Sequence, residues 1–123
     1  MSTQAEEIPV LNPADVERHI EETKNRIARG VKVVSDAERE MKTKKRDLDL
    51  ATAFALKKAE GPEYLRKAQA TIDTMPRREE AENAELAFRH AQRQAEALER
   101  ELFAWQSILN SVRSMWNAAG VRG

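Results

Sequence analysis

Apolar residues recur at alternating steps of three and four over residues 81–119. This spacing places them on one side of a helix, as in the heptad seam of a coiled coil. The seam is mostly alanine in its first half and large in its second half: Ala81, Ala84, Phe88, Ala91, Ala95, Leu98, Leu102, Trp105, Leu109, Val112, Trp116, Ala119. The pattern predicts a long helix over residues 77–119, packed closely near its start because alanine admits a near neighbour.

A second heptad series predicts an amphipathic helix over residues 12–59, with Asn12 as its N-cap and Pro13 in the first turn. One column of this seam is apolar: Ile20, Ile27, Val34, Met41, Leu48, Ala55. The other column is weaker: Val16, Thr23, Gly30, Ala37, Lys44, Ala51. A glycine inside a helix costs about 1 kcal/mol relative to alanine. Gly30 therefore indicates a bend, a break or a close crossing, three interpretations that the sequence leaves open.

Glu60-Gly61-Pro62 is typical of a helix end, so residues 60–76 are predicted to form a turn and a short helix. Residues 1–11 show no apolar period and are predicted to be a flexible tail. Taken together, these segments predict an all-α protein with a single helical domain over residues 12–123. The expected architecture is an elongated helical hairpin of two long helices with a short middle helix, oligomerising through the C-terminal helix.

Composition agrees with long helices, because 34% of the 123 residues are charged and only 5% are aromatic. The 21 basic and 21 acidic residues balance, so only local charge clusters point to a partner. The chain has no cysteine, which excludes disulfides and thiolate chemistry. No apolar run approaches the roughly 20 residues of a membrane span, and no secretory signal is evident. We therefore expect no membrane partner and a cytoplasmic location.

Catalytic patterns are missing from the sequence. His19 and His90 lie on different predicted helices, and the four glycines do not form a phosphate-binding loop. Glu79, Glu80 and Glu82 match a helix start, where carboxylates complement the helix dipole. We expect a protein that is not an enzyme and uses no cofactor or metal.

Basic residues concentrate on the first helix, where Arg18, Lys32, Arg39 and Arg46 fall in one column opposite the apolar seam. A basic stripe of this kind can follow a phosphate backbone without recognising base sequence. The alternative is a solvated helix face with ion pairs between residues four apart. The candidate DNA-binding residues are Arg18, Arg29, Lys32, Arg39, Lys42, Lys45, Arg46, Lys57, Lys58, Arg66 and Lys67, with Tyr64 nearby as an aromatic that could stack on a base.

The apolar end of the last helix is broad enough to need a partner surface. Its candidate oligomer-interface residues are Leu102, Trp105, Ile108, Leu109, Val112, Met115 and Trp116. Packing of this face against the other helices of the same chain is the alternative interpretation.

These features resemble those of the UvsY family of phage recombination mediators over about residues 38–122. Ala55-Leu56-Lys57-Lys58 runs into Gly61, and Trp105 precedes Ile108-Leu109 with a similar spacing to the family's aromatic and Ile-Leu core. The patterns Glu60-Gly61, Arg66-Lys67-Ala68 and Phe88-Arg89-His90-Ala91 are also similar to small uncharacterised proteins of actinobacterial phages.

The resemblance implies a ring formed through the C-terminal helix, single-stranded DNA as a ligand, and a recombinase and a single-strand-binding protein as partners. The expected function is a non-catalytic mediator that binds single-stranded DNA without sequence preference and assists recombinase loading. A structural coiled-coil adaptor that binds another protein and not DNA, or a helicase-loader-like protein, remains the alternative.

Overall fold

A computed structural model describes residues 11–120, which form three helices: α1 (Pro13–Lys58), α2 (Glu63–Asp73) and α3 (Met75–Ala118). The prediction of an all-α chain with two long helices and a short middle helix is confirmed. The predicted tail over residues 1–11 lies outside the described residues except for Leu11. Oligomerisation stays a prediction.

Polar caps at both ends set the length of α1. The side chain of Asn12 accepts a hydrogen bond from the backbone N–H of Asp15 at 2.9 Å, as expected of an N-cap. At the other end, Gly61 has a φ of +102°, a left-handed conformation that residues with a Cβ rarely adopt. Pro62 follows and starts α2, with its carbonyl accepting from the N–H groups of Leu65 and Arg66.

Only Thr74 separates α2 from α3, a shorter interruption than the sequence predicted. Its buried hydroxyl donates to the carbonyl of Ala70 at 2.7 Å, and its own carbonyl accepts from the N–H of Arg78 at 2.9 Å. Pro76 falls in the first turn of α3, where a missing N–H removes no helical hydrogen bond. α3 therefore begins at Met75, two residues before the predicted start at residue 77.

The chain divides into two compact units that both contain segments of α1 and α3, a division the sequence did not predict. The first unit consists of two chain segments, one up to Arg29 and one from Glu96 onward. The second unit is the segment between them, Gly30–Ala95. In the first unit, the α1 and α3 segments run antiparallel, because Glu17 pairs with Arg113 while Arg26 pairs with Glu101.

The core of the first unit consists of Val16, Ile20 and Val112, with larger side chains of α3 packed against it. The rings of His19 and Trp105 stack on each other, with their centroids 4.2 Å apart and an angle of 2° between their planes. Thr23 is also buried, and its hydroxyl lies 3.0 Å from the carboxylate of Glu101. The large half of the predicted α3 seam is thus covered, in part, by the start of α1.

In the second unit, the alanine half of the α3 seam is the buried half. Ala81, Ala84 and Ala91 are buried, as is Ala70 of α2. The α1 seam of this unit is half-buried at every predicted position: Gly30, Val34, Ala37, Met41, Lys44, Leu48, Ala51 and Ala55. Both heptad series therefore identify the packed faces of their helices.

Gly30 lies inside continuous α1, and a Cβ built there would meet no atom within 4 Å. The break and the close crossing that the sequence left open are not observed. We expect Gly30→Ala to raise the free energy of unfolding by about 1 kcal/mol, because alanine has the higher helix propensity. Urea denaturation followed by circular dichroism measures this change.

Gly61→Ala is the matched control, because alanine at a positive φ is strained and should destabilise the chain by roughly 1–2 kcal/mol. A destabilised Gly30→Ala variant would show that the open space at this position is required.

Candidate nucleic-acid interface

The solvent side of α1 in the second unit carries a concentrated positive charge. We define the basic face as its seven exposed positions opposite the seam: Lys32, Ser35, Asp36, Arg39, Lys42, Thr43 and Arg46. Four of these residues are cations and one is a carboxylate. Lys32, Arg39 and Arg46 recur every seven residues, which spaces their Cα atoms about 10.5 Å apart along the helix. This geometry suits an extended chain of phosphates.

Part of the basic face forms a shallow depression of about 420 Å³. It is lined by three cations, two hydroxyl-bearing residues and one carboxylate: Arg39, Lys42, Arg46, Ser35, Thr43 and Glu38. Guanidinium, ammonium and hydroxyl groups all donate hydrogen bonds to phosphate oxygens. No aromatic residue occurs between Lys32 and Arg46, so this face offers no base-stacking platform.

Asp36 is the acidic centre of the basic face. The ammonium of Lys32 donates to Asp36 Oδ2 at 2.8 Å, and Arg39 Nη1 lies 3.9 Å from Asp36 Oδ1. The hydrogen bond raises the pKa of Lys32, and the same bond lowers the pKa of Asp36. Lys42 pairs more loosely with Glu38 at 3.8 Å. Among the described residues, no carboxylate pairs with Arg46.

The other predicted DNA-binding residues fall into two groups. Arg29, Lys57 and Lys58 are exposed and have no ion-pair partner in residues 11–120. The remaining exposed cations each pair with a carboxylate: Arg18 with Asp15, Lys45 with Glu85 of α3, and Lys67 with Glu63. Tyr64 is 71% exposed, so its ring is accessible. Ion pairs between residues four apart, the alternative considered from the sequence, occur on α1 at Lys32–Asp36, Lys42–Glu38 and Lys44–Glu40.

Arg66 differs from the other predicted contacts because its guanidinium is used inside the fold. Its Nη2 donates to the carbonyl oxygen of Leu56 at 3.2 Å, and its Nε is buried. Leu56 lies in the last turn of α1, where carbonyl groups lack a helical partner. Arg66 therefore caps the end of α1 and fastens α2 to it.

We expect Arg66→Met to lower the free energy of unfolding by roughly 1.5–3 kcal/mol, the usual contribution of a hydrogen bond to a charged group. Lys67→Met is the matched control, because Lys67 is exposed and its pair with Glu63 contributes less than about 0.5 kcal/mol. Thermal denaturation of both variants gives the comparison. Equal stability of the two variants would contradict the capping role of Arg66.

The predicted oligomer-interface residues belong to the first unit. Val112 is buried, and Leu102, Trp105, Ile108, Leu109 and Trp116 pack against the same-chain core. Met115 is the exception, with 69% of its surface exposed, and Phe103, twelve residues earlier on α3, is 71% exposed. Intrachain packing, the alternative considered from the sequence, accounts for the covered part of this face. Phe103 and Met115 are the large apolar side chains of this end that remain exposed.

A hollow lined by both apolar and charged side chains in the second unit was missed from the sequence. Leu50 and Phe54 of α1, both exposed, line a volume of about 360 Å³ together with Ala51, Asp47 and Arg77. Leu50 and Phe54 fall outside the heptad columns of α1. Their four-residue spacing on the flank of the helix was the available signal, because residues four apart share one side.

Residues 11–120 contain no group of three or more His, Asp or Glu side chains that could hold a metal ion. Within the same residues, no helix has the length and apolar character needed to cross a membrane. Comparisons with protein-family models, with curated proteins and with solved structures find no match to this chain.

Proposed function

We propose that the protein is a non-catalytic mediator that binds single-stranded DNA without sequence preference, works as a homo-oligomer in the cytoplasm, and assists the loading of a recombinase. One observation carries the DNA-binding part: the basic face of α1 is exposed, and its cations outnumber its carboxylates four to one. The recombination context comes from the resemblance of the sequence to the UvsY family of phage proteins.

Binding would be electrostatic, because the basic face has cations and hydroxyls but no aromatic ring. Each phosphate that a cation neutralises releases a counterion, which favours binding and makes it depend on salt. A single basic face gives few contacts and hence weak binding. Several faces in one oligomer would raise the effective affinity without any new type of contact. A strand held by many weak contacts can be passed to a second protein.

We expect a triple variant, Arg39→Glu, Lys42→Glu and Arg46→Glu, to weaken binding to single-stranded oligonucleotides of every sequence alike. Each phosphate contact contributes about 0.7 to the slope of log affinity against log salt, so the loss of three contacts should reduce the magnitude of this slope by about 2. Fluorescence anisotropy at several salt concentrations measures both quantities. Helix content should be retained, because the three side chains face solvent.

The matched control reverses three exposed cations of α3: Arg89→Glu, Arg93→Glu and Arg100→Glu. Its net charge changes by the same amount, so a general charge effect would weaken both variants equally. The proposal requires the α1 variant to lose more affinity and more slope than the α3 variant. Wild-type protein that binds no oligonucleotide even at low salt would refute DNA binding.

Self-association is tested at the open part of the apolar end. Phe103→Glu with Met115→Glu should shift the protein to a lower mass in light scattering, because two charges would enter an apolar interface. Both side chains are exposed, so the core around Val16 and Val112 should stay intact. Unchanged circular dichroism provides the control for folding, and a wild-type protein that is monomeric would contradict the proposal.

A structural adaptor that binds another protein is the second candidate function. The hollow at Leu50 and Phe54 favours it, because exposed apolar side chains around a concave site are typical of protein-binding surfaces. Under this alternative the basic face is a solvated surface, and the two charge-reversed variants behave alike.

A further inference from the structure

Asp36 occupies the middle of the basic face, where a bound phosphate would also have to lie. Its two carboxylate oxygens face different cations: Oδ2 accepts from Lys32 at 2.8 Å, and Oδ1 lies 3.9 Å from Arg39. A carboxylate and a phosphate use the same donors on lysine and arginine. The cations that Asp36 neutralises are therefore not fully available to a nucleic acid.

We propose that Asp36 is an internal competitor for phosphate, which holds Lys32 in the free protein and limits how tightly the basic face binds a phosphate backbone. The inference rests on the proposed function and adds a regulatory residue to the same site. It divides the cations of the face into two classes. Lys32, hydrogen-bonded at 2.8 Å, must exchange Asp36 for phosphate. The other three are more available, because Arg39 and Lys42 have only loose carboxylate partners, at 3.9 and 3.8 Å, and no described carboxylate pairs with Arg46.

Competition has a consequence for the salt dependence of binding. A phosphate that replaces Asp36 releases its own counterion, which favours binding. The carboxylate of Asp36 stays close by, however, and its repulsion of the phosphate cancels part of this favourable free energy. The face then behaves as if it made fewer contacts than its four cations allow. Removing the charge of Asp36 while keeping its shape should restore the missing contacts.

The test is Asp36→Asn, measured with a labelled single-stranded oligonucleotide of mixed sequence at several salt concentrations. We expect affinity to rise by roughly threefold, the factor that corresponds to an exposed ion pair, at low salt. The slope of log affinity against log salt should steepen by about 0.7, since the one cation that is hydrogen-bonded to Asp36 is released. Most substitutions in a binding site weaken binding, so a gain is a specific outcome.

Glu96→Gln is the matched control, because it removes one exposed negative charge from α3 instead of from the basic face of α1. An equal gain in Glu96→Gln would show that net charge alone matters and would overturn the inference. Lys32→Gln, made in the wild-type chain and in the Asp36→Asn chain, provides a second test. It should weaken binding little in the wild-type chain, where Asp36 holds Lys32, and weaken it more in the Asp36→Asn chain.

The outcomes separate the inference from the function on which it rests. Salt-dependent binding that disappears in the Arg39, Lys42 and Arg46 triple variant, yet is unchanged by Asp36→Asn, would overturn the inference and leave DNA binding intact. Failure of both wild type and Asp36→Asn to bind would overturn the two together. Circular dichroism of each variant confirms that the helices are retained.

Discussion

Burial of a narrow apolar seam is the constraint on which the structure depends. Each long helix can hide only about one side, and the fully buried side chains of residues 11–120 are few and mostly small. In the second unit, alanines of α3 supply that burial because they allow close packing. In the first unit, Val16, Ile20 and Val112 supply it. Every other feature of the chain is arranged around these two patches.

A seam this narrow leaves most of the surface of α1 to solvent, and the sequence uses that surface for charge. The cations of the basic face point away from the packed side, so they can be changed without disturbing the core. Most of these cations pair with carboxylates of the same helix, and those negative charges reduce the positive potential of the basic face. On α1, the residues of the seam therefore determine folding, and the residues of the basic face would determine binding strength.

The two pairs of exposed apolar side chains, Phe103 with Met115 and Leu50 with Phe54, differ in how they relate to the packed faces of the helices. Phe103 and Met115 continue a packed face of the first unit, so their exposure marks the edge of a surface that is already covered. Leu50 and Phe54 lie beside the α1 seam of the second unit and contact a hollow that also includes Arg77. Of these four residues only Met115 was named from the sequence, because all four lie beside the heptad columns and not in them.

Sequence alone determined the three helices, their caps and their packed sides, because heptad spacing, Asn12 and Gly61 act through local backbone geometry. It also placed Lys32, Arg39 and Arg46 on the solvent side of α1. The tertiary structure decided the division into two units and the register of α1 against α3. Sliding one helix by seven residues would keep the same apolar pattern, so only contacts such as Glu17 with Arg113 and Lys45 with Glu85 reveal it.

Side-chain partners were likewise decided by the fold. Arg66 looked like another surface cation until the packing of α2 brought its guanidinium to the carbonyl of Leu56. His19 remains exposed, yet α3 places the ring of Trp105 against one face of its imidazole. In both cases the partner lies on another helix, and periodicity within one helix has no information on what a neighbouring helix presents.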